Sequence, residues 1–270
     1  MKDNAAGFVG NIPHHYDQGM GPMIFVDYAL DVAQRVAACN PVRVLETAAG
    51  TGIVTRRLRD RLPAGVGLTA TDLNPPMLEI ARAKFRPGED VEFKPADAME
   101  LPFADGSFDA VVCQFGVMFY PDKGKSYRKV YRVLSSSGHY LFSIWDSHRH
   151  NPFGRITHEV VGSFFPDDPP QFMSVPFSYS FDPIKDSLTD AGFTDINAAI
   201  VKLKKDVPDA ASFARGLVFG SPLIDQVRAR KGVEPDQIVD VLVQRFHREF
   251  GVDPGCMPLQ AIVFSAKKPS

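Results

Sequence analysis

Residues 44–52 read Val-Leu-Glu-Thr-Ala-Ala-Gly-Thr-Gly, a short apolar run followed by small residues. The apolar run predicts a buried strand. After the turn, the spacing of Ile53, Val54, Leu58 and Leu62 predicts a helix. Gly50 and Gly52 lack a Cβ and therefore permit a tight turn between the two. Such a turn lets a ligand lie against backbone amides at a helix N-terminus. A second predicted strand, 66–71, ends at Asp72, where a nucleotide ribose needs a hydrogen-bond acceptor.

The residues around this turn distinguish two kinds of nucleotide cofactor. The dinucleotide fingerprint needs a third glycine, and counting from Gly50 that position is Thr55. Glu46 precedes the turn and would meet an anionic pyrophosphate in a dry site, whereas it suits a cofactor that carries an ammonium and a sulfonium. Thr55 and Glu46 therefore favour S-adenosyl-L-methionine over NAD.

Further motifs follow the turn in order, and with it they resemble those of a known family. They are Asp72-Leu73-Asn74, Ala96-Asp97-Ala98 with Leu101-Pro102-Phe103, the run Phe108 to Phe115, and Arg132-Val133-Leu134 with Gly138 to Trp145. Together with Glu46-x-Ala48-x-Gly50-x-Gly52 they resemble the class I S-adenosylmethionine-dependent methyltransferases. The resemblance covers about residues 40–146 and is nearest to the branch that includes ubiquinone and menaquinone biosynthesis enzymes. Ala48 stands where the family has a glycine, which narrows the allowed backbone without excluding the turn.

The resemblance implies an α/β, Rossmann-like seven-stranded methyltransferase fold, with a mostly parallel sheet whose last strand is antiparallel. It also implies methyl transfer from S-adenosyl-L-methionine to a small, partly apolar molecule. Three alternatives remain: a family member that binds the cofactor without transferring methyl, an NAD(P)-dependent oxidoreductase, and a nucleic-acid methyltransferase, which the charge balance opposes. The residues that the resemblance assigns to the cofactor are Glu46, Thr47, Ala48, Gly50, Gly52, Asp72, Leu73, Met77, Asp97, Ala98, Gln114 and Phe115.

The two acids and the end of the fourth strand have specific expected roles. Asp72 is expected to accept hydrogen bonds from the ribose, each worth about 1.5–3 kcal/mol; alternatively it stabilises the next helix through the helix dipole. Glu46 either binds the cofactor ammonium or orders the turn by accepting its backbone amides. Gln114 and Phe115 are expected to face the sulfur side of the cofactor.

The adenine side of the expected site is less distinctive in sequence. Asp97 and Ala98 follow the third predicted strand, where the family holds adenine by a carboxylate and a backbone amide. The alternative is that Asp97 is a solvated loop residue. Leu73 and Met77 either enclose the adenine or pack the helix against the sheet.

Methyl transfer does not require a dedicated catalytic side chain, because alignment alone removes about 7–11 kcal/mol of the barrier. The catalytic residue is therefore left unknown. His14, His15, His148 and His150 are candidates for a general base, and the alternative is that they are ordinary surface histidines. The histidines, cysteines and acidic residues show no metal-ligand spacing, so no metal site is predicted.

Bulk composition restricts the class of protein. The 270 residues have a net charge of −2, which offers no large positive field for nucleic acid. Cys39, Cys113 and Cys256 are widely separated and odd in number, which favours reduced thiols in a cytoplasmic protein. Residues 1–11 lack the apolar core of a signal peptide, and no apolar stretch reaches the about 18 residues of a membrane span. The expected partner is a small-molecule substrate, without nucleic acid or membrane, and the oligomeric state stays open.

The expected organisation is a methyltransferase domain with insertions. Residues 1–40 are predicted to form an N-terminal arm and helix that act as a lid, and 41–270 the methyltransferase domain. Insertions at about 147–181 and 208–251 interrupt the strand–helix alternation. They are rich in aromatic residues or helical patterns and are expected to form a cap over the acceptor. The alternative is that their aromatic residues only seal an edge of the sheet.

Overall fold

A computed structural model describes residues 6–252 and 254–270, which divide into two compact units. Unit 1 holds the described residues of Met1–Phe25, Trp145–Ser178 and Val201–Ala261, and unit 2 holds Val26–Ile144, Tyr179–Ile200 and Ile262–Ser270. Residues 1–5 of the predicted N-terminal arm lie outside the described residues. The predicted lid over 1–40 and the predicted cap over 147–181 and 208–251 stay predictions.

Seven strands form one sheet in the described part of the chain. They are β1 Arg43–Glu46, β2 Gly67–Asp72, β3 Glu92–Pro95, β4 Phe108–Gln114, β5 Leu134–Trp145, β6 Thr194–Val207 and β7 Gly255–Lys267. Their order in the sheet is β3-β2-β1-β4-β5-β7-β6. The strands β1 to β5 pair in parallel, as expected where helices connect successive strands.

The last strand, β7, runs antiparallel to β5. The Lys268 amide donates to the Gly138 carbonyl at 2.9 Å, and the Asp146 amide donates to the Gln260 carbonyl at 3.1 Å. Residue numbers thus fall along one strand as they rise along the other, which is the antiparallel register. The predicted fold class is therefore confirmed.

Helices connect most of the strands, whereas β3 is followed by β4 without a helix between them. One helix begins later than its sequence pattern predicts. The spacing of Ile24, Tyr28, Val32 and Val36 predicts a helix over 22–39. In the structure α2 begins at Val26, because the preceding Tyr16–Phe25 forms wider, π-helical turns that include Pro22, which has no N–H to donate. In the described ranges, no helix is long and apolar enough to cross a membrane. The α-helices are α1 Ile12–His15, α2 Val26–Ala38, α3 Ile53–Arg61, α4 Pro75–Arg82, α5 Lys123–Val133, α6 Pro152–Phe164, α7 Phe181–Asp190, α8 Ala210–Phe219, α9 Leu223–Ala229 and α10 Pro235–Phe250.

The apolar faces of α2 and α3 pack with the sheet in the core of unit 2. Leu58 of α3 and Val44 of β1 are fully buried in this cluster, and burial of each such side chain contributes about 1.5–3 kcal/mol. The packing fixes α3 relative to β1, and therefore fixes the ends of the turn that joins them. The buried members of the cluster are Ala29, Val32, Ala33, Val36, Val44, Val54, Leu58, Leu62, Val66, Leu68, Ala110, Val112 and Leu141.

Unit 1 has an aromatic core. The ring centroid of Phe153 lies 5.5 Å from Trp145, 5.7 Å from Phe177 and 5.9 Å from Phe213, distances at which aromatic pairs attract one another. A Cβ added to Gly154 would lie 2.4 Å from the Phe177 ring, so this position admits only glycine. Phe153 and Phe177 of the 147–181 insertion thus pack against each other within unit 1.

Substitution of two glycines distinguishes the energetic cost of a left-handed backbone from that of a steric clash. Gly52 has φ +77°, and a Cβ there would lie 2.8 Å from the Ala81 Cβ; Gly88 has φ +90° with nothing within 4 Å. We expect Gly52→Ala to lower the free energy of unfolding by at least about 2 kcal/mol. Gly88→Ala, the control, should cost about 1 kcal/mol. Urea unfolding measures both, and equal losses would contradict the close packing assigned to Gly52.

Candidate functional site

The turn between β1 and α3, residues 47–52, is held to both strands that flank β1; we call it the glycine turn. The Thr47 amide donates to the Val112 carbonyl of β4 at 2.9 Å, and the Ala49 amide donates to the Thr71 carbonyl of β2 at 2.9 Å. The glycine turn therefore lies at the carboxyl ends of three parallel strands, where the order of connections reverses. In open α/β sheets this crevice is where ligands bind.

The backbone of the glycine turn is left-handed at three positions. The φ angles are +51° at Ala48, +56° at Gly50 and +77° at Gly52. Glycine adopts this conformation readily, whereas at Ala48 it costs about 1–2 kcal/mol. Such strain persists only where the surrounding structure fixes the backbone. The alanine in the glycine position is thus accommodated, and the turn keeps its expected form.

Asp72, at the end of β2, connects the glycine turn to the start of α4. Its Oδ2 accepts from the Gly50 amide and its Oδ1 from the Asn74 amide, both at 2.8 Å. The residue is only 7% exposed, and burial raises the pKa of its carboxyl while these amide bonds oppose the rise. The Asp72 carboxylate therefore lies at the start of α4, where it can interact with the helix dipole. Its role as an acceptor of hydrogen bonds from the ribose stays a prediction.

Glu46, the last residue of β1, is buried beneath the glycine turn. It is 2% exposed, and its Oε2 accepts from the Thr55 hydroxyl at 2.6 Å. Burial raises the pKa of the carboxyl to about 8, and the nearby charge of Asp72 acts in the same direction. The amide of Gly50 bonds to Asp72 rather than to Glu46. The sequence predicted that Glu46 either binds the cofactor ammonium or accepts backbone amides of the turn. In the structure it is Asp72 that accepts the Gly50 amide.

Thr55 is a site residue that the sequence analysis missed. In the sequence, Thr55 stands out only because it occupies the position where a dinucleotide motif needs a third glycine. In the structure its fully buried hydroxyl donates to the Glu46 carboxyl. The sequence feature that could have identified Thr55 is its position in the first turn of α3, where its side chain can reach the last residue of β1.

The two acids of the site have no cationic partner in the described ranges. None of the ion pairs between described residues involves Glu46 or Asp72. A buried carboxylate without a counter-charge is costly, which is why the Glu46 carboxyl stays mostly protonated below pH 8. A cationic ligand would favour its ionised form. A pyrophosphate would disfavour that form. The electrostatics of the site therefore favour a ligand with positive charge.

The expected adenine side lies next to the end of β2. The Ala96 amide donates to the Asp72 carbonyl at 3.0 Å, which places the loop after β3 beside Asp72. Leu73 is 54% exposed, whereas Met77 is buried, and a contact of either side chain with adenine stays a prediction. Asp97 is half-buried and its Oδ1 accepts from the amide two residues on at 2.8 Å, while Ala98 is buried.

The expected sulfur side is formed by the end of β4. Gln114 is the last residue of that strand, and Phe115 follows it with φ +54°. The Phe115 amide donates to the Ser143 carbonyl at 3.0 Å, and its ring meets Tyr28 edge-on at 5.5 Å. Both residues thus lie at the same end of the sheet as the glycine turn.

The candidate histidines all belong to unit 1 and differ in their surroundings. His14 and His150 are exposed. His15 packs against an aromatic ring 5.4 Å away, and burial lowers its pKa. His148 Nε2 lies 2.9 Å from the Met173 carbonyl oxygen, and burial again lowers the pKa. Across the described residues no cluster of His, Cys, Asp and Glu suits a metal ion, and a catalytic role for any of these histidines stays a prediction.

Comparisons with known proteins agree with this geometry. A profile for the methyltransferase domain matches residues 45–142. The chain is 43% identical over 114 residues to demethylmenaquinone methyltransferase of Thermus thermophilus, covering 42% of this chain and 48% of that protein. It is 30% identical over 167 residues to the ubiquinone/menaquinone biosynthesis C-methyltransferase UbiE of a Geobacter species, covering 57% of this chain and 71% of that protein.

Solved structures show the same fold at lower identity. A phosphoethanolamine N-methyltransferase of Haemonchus contortus, solved with S-adenosylhomocysteine, superposes with a TM-score of 0.61 at 19% identity, covering 96% of this chain and 57% of that one. A crystal structure of YcgJ from Bacillus gives 0.58 at 20% identity, covering 90% of this chain and 99% of that one. The chain spans about half the length of the first curated relative that it matches.

The buried carboxyl of Glu46 predicts a pH-dependent stability. Its pKa rises from the usual value near 4.5 to about 8 on folding, so its stabilising contribution is complete below pH 4.5 and is lost as pH rises through 8. We expect Glu46→Gln to become steadily more stable than the wild type between pH 5 and 8, by at most about 1.4 kcal/mol per pH unit. Urea unfolding from pH 5 to 9 measures this. Exposed Glu79→Gln is the control, and parallel profiles for Glu46→Gln and wild type would refute the assignment.

Proposed function

Because this chain belongs to the class I S-adenosylmethionine-dependent methyltransferases of the ubiquinone/menaquinone type, we propose that it transfers a methyl group from S-adenosyl-L-methionine to a small, partly apolar acceptor. The observation that carries the proposal is the glycine turn between two buried acids, Glu46 and Asp72. Both lack a cationic partner among the described residues. A ligand with an ammonium and a sulfonium would stabilise the ionised form of Glu46, whose pKa in the free protein is about 8, and would pair with the carboxylate of Asp72.

The residues of unit 2 suit the parts of this cofactor. The amino-acid end would lie against the glycine turn, with its ammonium toward Glu46. The ribose would lie at Asp72, and the exposed Leu73 and the loop at 97–98 would contact the adenine. The remaining side, toward the sulfur, would be formed by Gln114 and Phe115. Exposure of an apolar side chain such as Leu73 at a strand end is expected where a flat ligand covers it.

The chain's own residues would act by binding and orientation. Bound S-adenosyl-L-methionine supplies an electrophilic methyl group on a positively charged sulfur. The glycine turn presents its backbone to the ligand, and Asp72 holds that turn in place from one side. Well-aligned reactants gain about 7–11 kcal/mol from orientation, so this proposal assigns no general base to the candidate histidines.

We propose a quinone-type acceptor that is methylated at a ring carbon: the carbon–methyl bond forms as the methyl–sulfur bond breaks, and the ring hydrogen then leaves as a proton to solvent. The names of the relatives, demethylmenaquinone methyltransferase and ubiquinone/menaquinone biosynthesis C-methyltransferase, support this class. A ring carbon is nucleophilic only when oxygen substituents donate electrons to it, so the reactive form would be the reduced quinol. Oxidoreduction with NAD(P) is disfavoured because the buried acids would oppose a pyrophosphate.

We also propose that the protein works in the cytoplasm on a substrate other than nucleic acid. Cys39, Cys113 and Cys256 are free thiols in the structure, which suits a reducing compartment. The net charge of −2 gives little attraction to a phosphate backbone. The three free thiols and the charge support this setting, and the oligomeric state stays open.

The reaction is tested with radiolabelled S-adenosyl-L-methionine and a panel of short-chain quinols, phenols and amines. We expect labelled methyl to appear on a quinol, with one equivalent of S-adenosylhomocysteine released. Transfer to an amine instead would overturn the acceptor class. Absence of transfer to the whole panel, together with absence of S-adenosylhomocysteine binding, would overturn the activity.

Ligand-dependent melting separates the two cofactor classes. We expect S-adenosylhomocysteine to raise the melting temperature, because a ligand at 100 times its Kd stabilises the native state by about 2.7 kcal/mol. NAD and NADP at the same concentration should leave it unchanged, since their pyrophosphate would meet Glu46 and Asp72. A shift with NAD alone would contradict the cofactor assignment.

Asp109, which lies beside the start of β1, provides a matched control for substitution of Asp72. Asp109 also accepts from two backbone amides, those of Val42 at 3.1 Å and Arg43 at 2.8 Å. We expect Asp72→Ala to weaken S-adenosylhomocysteine binding at least about tenfold, through loss of charge-assisted hydrogen bonds. Asp109→Ala should lower stability but keep the affinity. Calorimetric titration of both variants measures this, and equal affinities for Asp72→Ala and wild type would refute the role of Asp72.

A further inference from the structure

The segment that follows β4, residues 116–120, packs directly against the glycine turn. A Cβ added to Gly116 would lie 2.5 Å from the Ala48 Cβ and 2.7 Å from the Cys113 sulfur. Only glycine allows so close an approach. The segment therefore lies where a polar side chain on it can reach the first residues of the glycine turn.

Tyr120 is the residue of this segment that reaches the glycine turn. Its hydroxyl donates to the Thr47 Oγ1 at 3.4 Å and lies 3.4 Å from the Cys113 sulfur. Burial raises the pKa of the Tyr120 hydroxyl well above its usual value, and burial also raises the pKa of the Cys113 thiol. Both groups therefore stay protonated at neutral pH. The thiol can donate to the tyrosine oxygen while the tyrosine donates to Thr47.

Two contacts to backbone carbonyls support the segment that carries Tyr120. Lys123 Nζ donates to the Tyr120 carbonyl at 3.0 Å, and the Tyr179 hydroxyl donates to the Met118 carbonyl at 2.6 Å. The Lys123 ammonium also lies 4.6 Å from the centre of the Tyr179 ring, a cation–π distance. A side chain supported in this way keeps its orientation, as a positioning group must.

We propose that Tyr120 is a positioning residue for the amino-acid side of the cofactor site, where its hydroxyl orients Thr47 and the strained backbone at Ala48. This inference rests on the proposed function and adds to it a residue outside the motifs of the sequence analysis. Thr47 begins the glycine turn, and its amide is already fixed to β4. The hydroxyl of Tyr120 fixes its side chain as well.

Tyr127 provides a matched control in the same unit. Its hydroxyl is also buried, but it has no hydrogen-bond partner among the described residues. Removing that hydroxyl deletes no bond and relieves an unsatisfied group. Tyr127→Phe and Tyr120→Phe therefore make the same chemical change at two buried tyrosines, only one of which contacts the glycine turn.

The test measures affinities of two probes by calorimetric titration: S-adenosylhomocysteine and 5′-methylthioadenosine, which lacks the amino-acid group. We expect Tyr120→Phe and Thr47→Val each to weaken S-adenosylhomocysteine about three- to tenfold, the range for loss of one hydrogen bond. Both should change methylthioadenosine less than twofold. Thr47→Ser keeps the acceptor oxygen and should restore wild-type affinity, and Tyr127→Phe should leave both affinities unchanged.

The double variant Tyr120→Phe with Thr47→Val completes the test. If the two side chains act through one contact, the double variant binds S-adenosylhomocysteine no more weakly than either single variant. Additive losses, equal losses for both probes, or wild-type affinity of Tyr120→Phe would each overturn the inference. Failure of the wild type to bind S-adenosylhomocysteine would instead overturn the proposed function, so the two failures are distinguishable.

Discussion

The carboxylate of Asp72 is the contact on which the geometry of the site depends. One oxygen accepts from the Gly50 amide and the other from the Asn74 amide, so a single side chain joins the β1–α3 and β2–α4 connections. Charge-assisted bonds to backbone amides are about twice as strong as neutral ones. They also offset the cost of burying the charge. Without this link the glycine turn would keep its attachments to β2 and β4 but lose the one at its centre.

The burial of Glu46 beside the Asp72 charge disfavours ionisation of Glu46, and a cationic ligand would offset this effect. Glu46 lies close enough to Asp72 for their charges to interact, and burial already raises its pKa to about 8. Both acids are thus held in a dry region whose described residues offer hydroxyl and amide donors but no counter-charge. Local unfavourable arrangements of this kind are expected at functional sites, where folding and function place different demands on the same residues. The strained φ of Ala48 is a second example in the same turn.

The placement of the glycine turn could be predicted from local signals in the sequence, whereas the seven-stranded sheet was predicted through the family resemblance. Glycine spacing, apolar runs and the acid after a strand are read within a few residues of one another. The Glu46–Thr55 bond, the Gly50–Asp72 bond and the Tyr120–Thr47 contact escaped prediction, since each joins side chains whose distance depends on packing. The start of α2 at Val26 escaped because the effect of Pro22 on the preceding turns depends on its surroundings. The division into two units joins segments far apart in the chain, which no local pattern records.

A crystal structure with S-adenosylhomocysteine tests the central claim most directly. The account predicts that the ligand lies along the carboxyl ends of β1 and β2, with ribose oxygens within hydrogen-bond distance of the Asp72 carboxylate and the amino group on the Glu46 side of the glycine turn. Density for the ligand at any other place, or a glycine turn left empty at millimolar ligand, would contradict it.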